Sequence, residues 1–200
     1  MLKIGLTGNI GSGKTVVAEI FRTLEIPVFY ADTEARKLLD VDKTKIQLLK
    51  IFGQGIFSPN GSVKRSVLAE IVFNDKDLLY ELNKVIHPLV RTNFKLWCEK
   101  HSEETYTLYE AAILFESGHY KEMDKVICVV APEHLRISRV IDRDGVSKEE
   151  VLQRMASQWE EERKVELSDY VIVNDGNSSV IEQVMNVHSQ LTVDSRQLDS

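Results

Sequence analysis

The sequence predicts an α/β protein of three layers, a five-stranded parallel sheet with helices on both faces. Three observations carry that prediction. Five short apolar runs, at Leu2–Thr7, Ile26–Tyr30, Thr105–Tyr109, Lys125–Ala131 and Tyr170–Val173, lack in-and-out alternation, the pattern of strands buried on both faces. Segments of helical period separate them. The first run ends in a glycine loop that leads straight into a helical pattern.

Taken in order, Leu2–Thr7 is followed by helical spacing from Thr15 to Leu24 through Val16, Val17, Ile20 and Leu24. The run Ile26–Tyr30, entered through Pro27, ends at Ala31-Asp32, ahead of a helical stretch from Thr33 to Leu39. From Thr44 to His101 no strand pattern stands out. Helical periods recur instead at Ile46, Leu49 and Phe52, at Val67, Leu68, Ile71 and Val72, and at Leu78, Leu79, Leu82, Val85 and Ile86. Turns fall in Gly53–Gly61, and Pro88 is expected to bend or restart the helix that begins near Asp75. Glu133–Lys164 is helical and rich in charge. Tyr170–Val173 closes in the turn Asn174-Asp175-Gly176, Val180, Ile181, Val184 and Val187 mark a last helix, and Thr192–Ser200 reads as a polar, frayed tail. The expected organisation is one domain over 1–200, with a core of about 1–43, 102–132 and 165–190, a helical insertion at about 44–101 and a helical lid at about 133–163.

A chain of 200 residues suits one such domain. Apolar residues at 43% and charged residues at 28% match an ordinary folded protein. The formal charge of −6 provides no positive field to gather nucleic acid or an anionic membrane, so neither is an expected partner. Any phosphate must be bound by local geometry. Cys98 and Cys128, the two cysteines, lie in apolar surroundings, which reads as buried packing in a reducing compartment and excludes a disulfide framework. The sequence shows neither a secretory leader nor an apolar run of about 18 residues. A cytoplasmic protein, monomeric or weakly homo-oligomeric, is expected.

Chemistry concentrates in Gly8-Asn9-Ile10-Gly11-Ser12-Gly13-Lys14-Thr15, which fits glycine, four residues, glycine, lysine, then serine or threonine. Such a loop wraps a phosphate so closely that side chains at Gly8, Gly11 and Gly13 would collide or forbid the backbone angles. Its amides face the anion, and the helix that opens at Lys14 adds the positive end of its dipole. Lys14 supplies a mobile charge for the β and γ phosphates, the Thr15 hydroxyl ligates Mg²⁺, and Val16 adds its backbone amide. A glycine turn that binds nothing is the rival reading. The position after a buried strand favours the phosphate loop, and with it a fold of the P-loop NTPase type that binds ATP or GTP.

The base-recognition sequence of a regulatory GTPase, asparagine-lysine-x-aspartate, is absent, and Asp142-Arg143-Asp144-Gly145 mimics a switch motif only within a helical stretch. Arg136, Arg139, Arg143 and Arg154 are spaced to lie on roughly one side of a helix-loop-helix. Arginines on such a flap would exclude water and stabilise the transferring phosphoryl group; a solvated helix laced with Glu and Arg pairs is the alternative. Asp32 follows the second strand and is placed either to accept the proton of an attacking hydroxyl, to hold a metal-bound water, or to cap the next helix.

Together these residues resemble the dephospho-CoA kinase family. The elements are IGLTGNIGSGKT at 4–15, YAD at 30–32, IHP at 86–88, ILFE at 113–116, RVIDRDG at 139–145 and SDYVIVNDG at 168–176, a likeness over nearly the whole chain. The resemblance implies transfer of the ATP γ-phosphoryl group, with Mg²⁺, to the ribose 3′-hydroxyl of dephospho-CoA. It implies Asp32 as general base beside Lys14 and Arg143 as the catalytic set. Gly8 to Val16, Arg139 and Asn174 are implied for ATP, Asp32, His87 and Glu110 for the acceptor, and Thr15 for the metal. A structural histidine followed by proline is the other reading of His87.

Departures from the family pattern occur. Glu110 stands where an aspartate is usual near the end of the third strand, Ala112 where proline is usual, and Ile113 where leucine is usual. Asn9 occupies a position often held by glycine, which asparagine tolerates because it visits left-handed backbone. Glu116 caps or orients. A kinase for another nucleotide or nucleoside, and a nucleotide-dependent switch, remain the alternatives.

Overall fold

The computed structural model describes residues 1–198. β1 (Leu2–Thr7) passes through the glycine loop into α1 (Lys14–Thr23), and the chain returns as β2 (Val28–Tyr30). Glu25, at φ 62°, makes the left-handed step between them.

Ala31–Glu99 forms a compact unit of its own, built from α2 (Ala31–Leu38), α3 (Asp42–Phe52), α4 (Arg65–Asn74) and α5 (Lys76–Glu99). α2 starts directly after β2, so Asp32 lies inside its first turn and is not the capping residue. Asp32 and Glu34 occupy that first turn and Arg36 and Lys37 the last, the arrangement a helix dipole favours. Leu48, Ile56, Val63 and Leu68 make the unit's core. Asp40 ties its turns together by accepting from the Val63 N–H at 3.0 Å and from Arg65 Nη2 at 2.9 Å. Those bonds, the Val63 amide first, hold its carboxyl below the usual carboxylate range.

Of the bend or restart expected at Pro88, the restart does not occur, because α5 runs unbroken through it. Proline inside a helix costs about 3 kcal/mol. Ile86, Val90, Phe94 and Cys98 recur every four residues and are all buried on one stripe, and each large apolar side chain so buried contributes roughly 1.5–3 kcal/mol. The stripe outweighs the proline.

The second unit joins Met1–Tyr30 to the chain from Lys100 onward. It adds β3 (Tyr106–Glu110), β4 (Lys125–Val130), α6 (Glu133–Asp144), α7 (Lys148–Ala156), α8 (Glu161–Glu166), β5 (Tyr170–Val173) and α9 (Val180–Leu198). The five strands form one sheet in the order β2-β3-β1-β4-β5, with every pairing parallel. The register runs from Leu2↔Tyr106 to Leu6↔Glu110 on one side of β1, and from Ile4↔Lys125 to Thr7↔Cys128 on the other. Leu2, Ile4 and Leu6 pack with Val17 and Phe21 of α1 and with Val184, Val187 and Leu191 of α9. Towards the other face, a methyl group on Gly5 would meet Leu114 Cδ2 at 2.5 Å and Met123 Cγ at 3.2 Å. Both faces are therefore filled, which is why the strands show no alternation. Cys98 and Cys128 are buried free thiols, and burial pushes Cys128 up to about 11.

The frayed tail expected from Thr192 is instead helix as far as Leu198; residues 199 and 200 lie outside the described residues. Leu191 and Ser195 are buried, Thr192 Oγ1 donates to the His188 carbonyl at 2.8 Å, and the Tyr170 hydroxyl donates to Asp194 at 3.2 Å. Polar side chains here bond back to the fold. Among the described residues no helix is long and apolar enough to cross a membrane.

Candidate active site

The loop between β1 and α1 adopts backbone angles that glycine alone takes readily: φ is +148° at Gly8, +78° at Gly11 and +97° at Gly13. A Cβ on Gly8 would strike the Val129 carbonyl, one on Gly11 the Arg136 backbone, and one on Gly13 the Asn174 amide. The loop is thus backed by the end of β4, by α6 and by the residue after β5. Lys14 Nζ donates to the Gly8 carbonyl at 3.0 Å, closing the loop on itself. Thr15 and Val16 are exposed in the first turn of α1, and Gly13, at its N-cap, offers no side chain to the first-turn amides. An anion is the partner such a helix start accepts.

Arg139 clasps the outside of the loop. Its guanidinium donates to the Gly11 carbonyl at 3.4 Å, the Asn174 carbonyl at 3.1 Å and Asn174 Oδ1 at 3.3 Å, while Asn174 Nδ2 donates to the Ser12 carbonyl at 2.9 Å. The arginines of the lid segment do not share one face. Arg136 is buried, with Nε 3.9 Å from Glu161 Oε2, and burial raises the Glu161 carboxyl above its ordinary value. Arg143 is exposed and makes two bonds to Asp144, at 2.7 and 3.1 Å, and Arg154 reaches the same carboxylate at 2.9 Å. These bonds, Arg143 first, hold Asp144 below the usual range. A cavity of about 410 Å³ opens between the loop and α6, α7 and the start of α8, lined among others by Asn9, Arg136, Leu152, Trp159 and Glu161.

Glu110 ends β3, is buried, and stands in register with Leu6 of β1 and Tyr30 of β2. It therefore belongs to the same carboxyl edge of the sheet as the phosphate loop. Asp32 follows Tyr30 by two positions and is exposed in the helical unit. His87 is half-buried on α5 of that unit. One unit thus gathers Gly8 to Val16, Glu110, Arg139, Arg143 and Asn174, and the other carries Asp32 and His87.

A set of residues behind the loop escapes a reading by spacing. Lys164 is fully buried, with Nζ 2.8 Å from Glu116 Oε1 and 3.3 Å from the Ala112 carbonyl. Gln158 Oε1 accepts from the Ile10 N–H at 2.8 Å. The one signal in the sequence is Trp159, a large aromatic in an otherwise charged stretch.

For a divalent metal, the Thr15 hydroxyl and the Glu110 carboxylate are hard oxygen donors in the same unit. Among the described residues no cluster of three or more His, Cys, Asp or Glu side chains stands ready for an ion. That donor set suits Mg²⁺ carried in by phosphate oxygens, which keeps most of its ligands outside the protein.

Comparison with known proteins points one way. A family profile described as dephospho-CoA kinase matches residues 2–180. A curated relative of that description from Bacteroides fragilis (strain YCH46) is 36% identical, over 92% of this chain and 90% of its own length. A crystal structure from Thermus thermophilus matches with a TM-score of 0.82 at 33% identity, over 94% of this chain and 96% of that one. Dephospho-CoA kinase from Campylobacter jejuni matches with a TM-score of 0.70 at 29% identity, over 95% and 96%.

Proposed function

We propose, from the premise that the chain belongs to the dephospho-CoA kinase family, that Asp32 takes the proton of the acceptor's ribose 3′-hydroxyl while the phosphate loop presents ATP. Membership carries the overall reaction, ATP-dependent phosphorylation of dephospho-CoA in coenzyme A biosynthesis. The observation that supports the residue-level reading best is the loop itself. Three glycines at positive φ, each packed outward, leave its amide side for the triphosphate.

In this reading Lys14 leaves the Gly8 carbonyl to neutralise the β and γ phosphates, and the amides of Gly13, Lys14, Thr15 and Val16 cradle them. Arg139 and Asn174 shape the adenine side. Arg143, exposed and bonded to its neighbour Asp144, turns to the transferring group as the lid closes, and closure excludes water so that transfer outruns hydrolysis. Thr15 and Glu110 would hold Mg²⁺ or its waters. Such an ion, when bound, would supply positive charge to offset that of the phosphates. Glu110 and His87 contribute to the acceptor side. No covalent intermediate is required, since positioning and electrostatics suffice for this chemistry. The proposed setting is the cytoplasm, which the two buried thiols suit, with the protein a monomer or weak homo-oligomer.

Asp32→Asn tests the assignment. ATP binding by calorimetry should stay near wild type while turnover with dephospho-CoA falls by roughly two to four orders of magnitude. A loss under about threefold removes Asp32 from the role of base.

A further inference from the structure

The dipeptide Gln158-Trp159, in the stretch between α7 and α8, is gripped from two sides. On the loop side, Gln158 Oε1 accepts from the Ile10 N–H at 2.8 Å, and Asn9 Nδ2 donates to the Trp159 carbonyl at 3.2 Å. On the other, the Trp159 N–H donates to Glu116 Oε1 at 2.9 Å, and Gln158 Nε2 reaches the Ala112 carbonyl at 3.5 Å. Glu116 is itself fixed by the buried ammonium of Lys164 at 2.8 Å. The Trp159 ring stacks near-parallel to Phe115 at 6.2 Å, with the Arg163 guanidinium 3.5 Å above it. The dipeptide is a rigid bracket.

We infer that Gln158 is a positioning residue for ATP, acting through the backbone of the phosphate loop. The inference rests on the reading that this loop holds ATP. The peptide between Asn9 and Ile10 lies one residue before Gly11, whose φ of +78° sets the inward turn of the loop. Glycine at that point gives no steric guidance, because it takes positive and negative φ about equally. The Gln158 bond supplies the guidance by pinning the preceding N–H. Since Gln158 lies two residues past the end of α7, the lid and the loop are also mechanically joined: a shift of the lid helix moves the acceptor oxygen that Ile10 depends on. Asn9 adds a second tie through its side-chain amide.

The test uses Gln158→Met, which keeps length but removes both polar atoms. Calorimetry with Mg-ATP should show affinity weakened roughly five- to tenfold, the effect of one lost hydrogen bond, with the KM for dephospho-CoA within about twofold of wild type. ATP affinity equal to wild type, with only a lowered melting temperature, would overturn the inference and leave Gln158 a structural residue. If Gln158→Met does not fold, Gln158→Ala serves the same purpose. Weakened ATP binding with the acceptor KM unchanged supports the bracket, and unchanged ATP affinity overturns it. Absence of heat with wild-type protein would instead refute ATP binding by the loop.

Discussion

The glycines of the phosphate loop allow backbone strain to be separated from lack of space. Gly8 and Gly145 both have positive φ, +148° and +65°. At Gly145, the C-cap of α6, an added Cβ has nothing within 4 Å, whereas at Gly8 it would overlap the Val129 carbonyl oxygen and approach Ser12 Oγ at 2.7 Å. A side chain forced to positive φ costs roughly 1–2 kcal/mol, offset by about 0.4–1 kcal/mol from a stiffer unfolded chain. Gly145→Ala should therefore lose about 1 kcal/mol, or roughly 2–4 °C of melting temperature for a chain this size. Gly8→Ala bears at least that strain, since +148° lies beyond even the left-handed helical well, plus an overlap with strand backbone that cannot swing aside, for which overpacking figures of about 1–3 kcal/mol apply. Its total of about 2–4 kcal/mol corresponds to a fall of roughly 5–15 °C. Thermal unfolding followed by circular dichroism measures both variants. If Gly8→Ala melts within about 2 °C of Gly145→Ala, the loop has room the structure denies it, and close packing is not what demands glycine there.

Two further outcomes follow from the same structure. Leu191, fully buried in α9 just before the segment read as a tail, should cost about 2–5 kcal/mol on replacement by alanine, and a melting temperature unchanged to within about 2 °C would mean that the end of α9 is not anchored there. Asp144 has a folded-state value below its unfolded one, so its pairing with Arg143 and Arg154 contributes above the ordinary carboxylate range and is lost as pH falls through that lowered value. Hydrogen exchange across α6 and α7 should accordingly loosen in acid, by about 1 kcal/mol or less because the pair is solvent-screened. Asp144→Asn should be looser already at neutral pH and show no such step, and protection identical to wild type at both pH values would contradict the pairing.

How much could be read from the residues alone divides by the range of the forces involved. β1 and its loop are legible because burial on both faces demands an unbroken apolar run, and a cradle for phosphate demands glycine at fixed spacings. Local chemistry wrote both. Pro88 does not end the helix because its local cost, plain in sequence, is outweighed by the stripe of Ile86, Val90, Phe94 and Cys98, whose worth comes from packing. Thr192–Ser195 looks like solvent-facing tail for a similar reason: its hydroxyls are satisfied by helix carbonyls, and its anchor is Leu191 against the sheet. The lid arginines have regular spacing, but spacing does not reveal that Asp144 binds two of them while Arg136 is buried. Lys164 is the extreme case. A lysine in a charged stretch reads as solvated, and its partner Glu116 is far away in sequence. Gln158 and Ile10 are likewise distant along the chain and meet only through the fold.

The position of β1 at the centre of the sheet bears on how the polypeptide is made. Its neighbours begin at Tyr106 and Lys125, so a chain leaving the ribosome amino end first carries an apolar strand that has no partner for about a hundred residues. At about 5–20 residues per second of synthesis, that wait lasts roughly 5–20 s. Until both later strands have emerged, β1 and the glycine loop after it have no sheet to join, and nascent-chain shielding matters more here than for a protein whose first hairpin closes at once.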